Sequence, residues 1–193
     1  MRFAPREGLW RMTMCIVTGD RQELTPTDSL LERLDQIPDE LVDRPQWCVW
    51  RLEHTKLAYQ PHRPDSLARS NAPSTFATFC EAVDVFADAL DTPRQFTGIG
   101  YLFTDDDPFT GVNFDDCKVG DDIASDVLQA IKRMGGYAEI SPSETGVKLW
   151  TCAPVEIPEG RTGFQRAGLW GCSKVEVYRT RRWFAVTGRR LTR

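Results

Sequence analysis

Two runs of strand-forming residues, GIGYLF at 98–103 and TGVNFDDC at 110–117, stand on either side of an acidic turn made by Asp105, Asp106, Asp107 and Pro108. Both are short, and bounded by turn signals, so they commit this part of the chain to a sheet. In the second run, alternation sends Val112 and Phe114 to one face and Asn113 and Asp115 to the other. One face packs; the other offers polar groups. Oxygen donors at i and i+2 on a rigid strand can hold Mg²⁺ or Mn²⁺, which prefer carboxylates, carbonyls and water. Taken alone, the same pair also describes a solvated acidic strand end, since short acidic motifs recur widely. Both readings stay open on this stretch.

The 193 residues suit one domain with a real core, and the apolar, charged and aromatic fractions are those of a globular chain. Six scattered cysteines form no CxxC pair, and the two histidines, His54 and His62, lack partners at zinc spacing. Zinc is therefore not expected. Without a secretory signal or an apolar run long enough to span a bilayer, the protein is expected to be cytoplasmic, with reduced thiols that mostly fill the core and no membrane partner. The net charge of −4 conceals an asymmetry: residues 161–193 carry nine lysines and arginines against one acid, Glu176, while the rest sums to −12. Clustered base of this kind is the footprint expected for phosphate groups.

In chain order, residues 1–26 show no clear period and are expected to be a poorly ordered end, followed by a domain over 27–188 and a basic tail at 189–193. A helix is expected from the cap at Thr27–Ser29 to Pro38, then a hairpin of strands 46–52 and 56–59. A helix from Ser74 carries Phe76, Phe79, Val83, Phe86 and Leu90 on one face. Beyond the paired strands 98–103 and 111–116 come a helix at 123–134, strands 137–141 and 147–152, a mobile basic loop at 160–171, and strands 174–178 and 183–187. This order predicts an α+β (mixed α/β) fold around one largely antiparallel sheet, with helices on one face and a cleft on the other.

Two further polar stations accompany Asn113 and Asp115. The turn SPSETGVK places hydroxyls at Ser141, Ser143 and Thr145, a flexible Gly146, and Lys148 on the next strand, a combination that can cradle phosphate but is also ordinary turn chemistry. The stretch KVEVYRTRRWFAVTG holds Glu176 among bases. If Glu176 and Asp115 face each other across adjacent strands, their oxygens suit divalent ions, and Arg179, Arg181 and Arg182 would neutralise phosphates.

Read together, PQWCVW, Lys56, PSTFATFCEA, GIGYLFTDDDPFTGVNFDDC, YAEISPSETGVKLW and VEVY followed by RRWFAVTG occur in the order found in one family. The chain from Asp39 to Gly188 resembles the bifunctional DNA primase/polymerase (Prim-Pol) domain of the archaeo-eukaryotic primase superfamily, found in replication proteins of phages, plasmids and mobile elements. The resemblance implies an RRM-like sheet with flanking helices and an added N-terminal α/β unit. It implies template-directed nucleotidyl transfer from an NTP or dNTP to a 3′-hydroxyl, with two Mg²⁺ or Mn²⁺ ions held by Asp115, Glu176 and Asn113, and Asp116 adjacent. Ser141, Ser143, Thr145, Gly146, Lys148 and Arg182 would hold the triphosphate. Arg161, Arg166, Arg179, Arg181, Arg189, Arg190 and Arg193 would meet the backbone of a single-stranded DNA template.

Two positions depart from the family pattern. Asn113 stands where aspartate is usual, replacing an anionic ligand with a neutral carbonyl, and Lys148 stands where histidine is usual. The first leaves a second reading open, a catalytically impaired module that binds nucleotide or DNA for a replication partner. A stand-alone nuclease or phosphatase suits the serine turn and the arginines less well. With no GxxxxGK[ST] segment present, a replicative helicase is expected from a separate protein or a further part of the chain.

Overall fold

A computed structural model describes residues 28–191; the end expected at 1–26, and Arg193, lie outside them. The chain runs through α1 (Asp28–Leu31), α2 (Asp39–Val42), β1 (Trp47–Leu52), β2 (Lys56–Gln60), β3 (Arg63–Leu67), α3 (Phe79–Asp88), β4 (Gly98–Phe103), β5 (Thr110–Asp115), β6 (Lys118–Val119) and β7 (Asp122–Ile123). It continues with α4 (Ser125–Met134), β8 (Tyr137–Ile140), β9 (Val147–Thr151), β10 (Gly163–Ala167), β11 (Lys174–Tyr178) and β12 (Arg182–Val186). The fold is mixed α+β. In place of the single sheet expected, it has two antiparallel five-stranded sheets, ordered β12-β4-β1-β2-β3 and β10-β11-β5-β9-β8, besides the small β6-β7 ribbon.

The strands flanking the acidic turn therefore do not pair with each other. β4 joins the first sheet and β5 the second, because the turn folds inward around Asp107. Its carboxylate is 2% exposed and accepts from Gln46 Nε2 at 2.8 Å, Tyr101 Oη at 2.9 Å and the Phe109 amide at 3.0 Å. A sealed corner redirects the chain where a solvated turn would have closed a hairpin. The chain crosses back between β11 and β12, at Arg181, whose φ of 55° marks the left-handed turn. Between the sheets, Trp150 of β9 meets Phe103 at 6.3 Å and Phe184 at 5.6 Å. Gly111 lies against the Phe103 and Phe184 rings, where any Cβ would collide.

The helix expected from Ser74 begins later, at Phe79, because Pro73–Thr75 forms a 3₁₀ turn and Thr78 makes a capping box with Glu81. The expected first helix is reduced to α1 and a 3₁₀ turn at Leu34–Gln36. The basic loop is not free: it contributes β10, which pairs along β11. The basic tail is likewise anchored, as Ile140 and Leu191 amides donate to Arg189 and Ala138 carbonyls along the edge of β8. Among the described residues Cys48, Cys117 and Cys172 are buried, as expected of thiols that mostly fill the core, whereas Cys80 and Cys152 are exposed. No helix among the described residues is long and apolar enough to cross a membrane.

Candidate functional site

Alternation divides the second sheet into two faces. Val112, Phe114, Val147, Leu149, Val175 and Val177 form a buried cluster with Val127 and Ile131 of α4. The opposite face carries a polar row set by strand register, in which Gln165 pairs with Glu176, Glu176 with Asn113, Asn113 with Lys148, and Lys148 with Glu139. In the neighbouring row Lys174 pairs with Asp115. Local periodicity makes each strand two-faced; only the pairing aligns the polar positions.

Asn113 is the hub. Its Nδ2 donates to Asp115 Oδ1 at 2.7 Å and to Glu176 Oε2 at 3.1 Å, while its Oδ1 accepts from Lys148 Nζ at 3.3 Å. Lys174 Nζ bridges the carboxylates, 3.4 Å from Asp115 Oδ2 and 3.2 Å from Glu176 Oε1. Tyr178 Oη donates to Glu176 Oε1 at 3.0 Å. Burial would raise the Glu176 pKa, but hydrogen bonds from Lys174, Tyr178 and Asn113 together hold it below the usual range. The bond to Glu176 chiefly raises Lys174. Lys148 sits 4.3 Å from the Phe184 ring centroid; burial, then the Lys56 charge, push its pKa down to about 8. Beside it, the wholly buried Glu139 accepts from Tyr137 Oη at 2.7 Å and from the Thr187 and Gly188 amides at 2.8 and 3.1 Å. Burial nevertheless pushes Glu139 up to about 7.

The serine turn borders this cluster. Ser141 and Ser143 hydroxyls lie 3.0 Å apart, Ser143 and Thr145 3.2 Å apart, and Thr145 donates to Asp116 Oδ1 at 3.3 Å. A Cβ on Gly146 would come within 2.6 Å of the Phe114 carbonyl, so glycine lets the turn close against β5. Asp116 adopts φ 53° at the strand end, and its Oδ2 accepts from Ser173 Oγ at 2.6 Å. The structure thus separates Asp116 from Asp115 and Glu176 and gives it to the turn.

The basic candidates divide. The Arg182 guanidinium lies 4.7 Å from the Tyr178 ring centroid, and that tyrosine reaches Glu176, so Arg182 borders the site through one side chain. Arg161, Arg166, Arg179 and Arg181 are exposed, while Arg189 pairs with Glu144 and the Arg190 backbone bridges to Glu139. Sequence reasoning missed Lys174 and Glu139 as members of the polar face. The signal for Lys174 was the same i, i+2 alternation that gave Asn113 and Asp115, since Lys174, Glu176 and Tyr178 follow it too.

The two acids of the polar face share one cation position. Asp115 and Glu176 already converge on a cation, the Lys174 ammonium, so their oxygens define that place. Asn113 can add only a neutral carbonyl, and does so only with its amide turned over, because its Nδ2 now faces the acids. Among the described residues no group of three or more His, Cys, Asp and Glu side chains is arranged to hold a metal. No protein-family model matches the chain, and no curated protein matches it.

Proposed function

We propose that this chain is a primase/polymerase domain of the Prim-Pol type, joining nucleotides from NTP or dNTP to a 3′-hydroxyl on a single-stranded DNA template. The observation that carries the reading is the convergence, on three neighbouring strands, of Asn113 and Asp115, of Lys148, and of Glu176, which is 63 positions from Asn113 in sequence. The lateral order β11-β5-β9-β8, with α4 between β5 and β8, also follows the antiparallel β-α-β-β-(α)-β plan of RRM-like folds, with β10 and its loop in place of the second helix. In this reading the first sheet with α3, joined at its edge by the C-terminal β12, corresponds to the added α/β unit.

In this reading Asp115 and Glu176, with the Asn113 carbonyl, hold Mg²⁺ or Mn²⁺, which when bound stabilises charge developing on the transferred phosphoryl group. Lys148 presents a compact positive charge beside them, and Ser143, Thr145 and the Gly146 turn offer donors to the triphosphate. Arg182 adds a planar cation at the edge. Exposed Arg161, Arg166, Arg179 and Arg181 suit the template backbone, and a separate helicase would open the duplex. A second reading, a module that binds nucleotide or DNA without catalysis, is favoured by one fact: Asp115, Glu176, Lys174 and Lys148 balance in charge with Asn113 between them.

Primer extension separates the two. A labelled primer on a single-stranded template, with Mn²⁺ and then Mg²⁺, is expected to be extended by the native protein and not by Glu176→Ala. Absence of incorporation by folded native protein that still binds the template would establish the non-catalytic module.

A further inference from the structure

Lys174 was not singled out by any motif, yet it touches both acids of the site. Its ammonium lies 3.4 Å from Asp115 Oδ2 and 3.2 Å from Glu176 Oε1, and these two oxygens are the ones that a shared divalent ion would need. The remaining inward oxygens, Asp115 Oδ1 and Glu176 Oε2, are held by the Asn113 amide at 2.7 and 3.1 Å. The Lys174 side chain is 40% exposed, while that of Glu176 is 10% exposed, so the lysine reaches in from the solvent rim rather than being locked in the core. Its flexible stem can withdraw without opening a cavity.

We propose that Lys174 is a built-in competitor for the cation position of this site: a divalent ion reaches Asp115 and Glu176 only by displacing the lysine ammonium. The inference rests on the reading of these two acids as metal ligands, and it assigns the control of metal occupancy to a residue on the ligand strand itself. Two carboxylates and one neutral amide are a poor donor set for a hard cation, so a competing charge within salt-bridge distance decides whether the ion binds. On release, the ammonium remains at the mouth of the site, where it can turn to a phosphate.

Mn²⁺ binding to the full chain, read from free Mn²⁺ by electron paramagnetic resonance without nucleotide or template, tests this. Lys174→Gln is expected to bind Mn²⁺ about tenfold more tightly than the native protein, whereas Lys174→Arg, which keeps the charge, gains nothing. Lys174→Gln combined with Glu176→Gln is expected to lose the gain. Equal affinities for native and Lys174→Gln proteins, or a gain that survives in the double variant, would overturn the proposal. Circular dichroism establishes that each variant is folded, and Lys174→Met, neutral and of similar length, repeats the comparison should Lys174→Gln unfold. Tighter Mn²⁺ binding by Lys174→Gln with no primer extension by either protein would uphold the competitor and sink the polymerase reading. Primer extension by the native protein with unchanged Mn²⁺ affinity in Lys174→Gln would do the reverse.

Discussion

Glu139 and Glu176 stand in one transverse row of the second sheet, separated by Lys148 and Asn113, and both are buried, at 0% and 8% exposure. Their chemistry diverges all the same. Glu139 is sealed: it accepts from Tyr137 and from two backbone amides at the start of the C-terminal segment, and burial drives its pKa up to about 7. Glu176, also buried, lies next to a lysine that reaches solvent, and its donors hold its pKa below normal. Accessible area does not separate these two carboxylates; the identity of their donors does.

The sharpest way to break this contrast is to remove the anchor. Glu139→Ala leaves the Thr187 and Gly188 amides without their acceptor, and urea unfolding is expected to show a loss of about 3 kcal/mol. The pH dependence follows next. Because the folded pKa of Glu139 is raised, the stability associated with its neutral form is complete below the unfolded value of 4.5 and is lost as pH rises through about 7. Lys148 acts in the opposite sense at higher pH: its pKa is lowered from 10.5 to about 8, so its contribution is present above the former and lost as pH falls through the latter. Urea midpoints measured from pH 4.5 to 7 should therefore decline in native protein and flatten in Glu139→Gln.

At the open end the effects on stability are smaller. Asn113→Asp places a third carboxylate against Asp115 and Glu176, removes the amide that bridges them, and is expected to cost about 1 kcal/mol without metal. Added Mn²⁺ should restore that loss, as read by thermal melting. Glu176→Ala frees Lys174 and Tyr178 near solvent and is expected to change stability by about 1 kcal/mol or less, a shift that chemical denaturation resolves. A large loss for Glu176→Ala, as great as for Glu139→Ala, would erase the distinction between the two ends of the row.

Much of the local structure was legible in the chain. Alternation over Asn113 and Asp115 placed them on one face, β-forming residues after Pro45 marked the hairpin of β1 and β2, and the amphipathic period marked α3. The partition into two sheets was not legible, because it depends on Asp107 folding under Tyr101 and Gln46, and three consecutive aspartates next to proline read equally as a solvated turn. Strand β3 escaped notice for a similar reason: RPDSL has little strand propensity and is held by pairing to β2. The apparent freedom of residues 160–171 likewise yields to pairing along β11.

The sequence by itself determined which side chains share a face of each strand, since that follows from a period of two along one backbone. The start of α3, expected at Ser74, is set instead by the capping box of Thr78 and Glu81. Only the tertiary structure decided that Asn113 would lie between Lys148, 35 residues away, and Glu176, 63 residues away, with Lys174 across Asp115. Register between distant strands is fixed by the packing of both sheets at once. A one-residue slip would leave every local pattern intact and scatter the site to the other face.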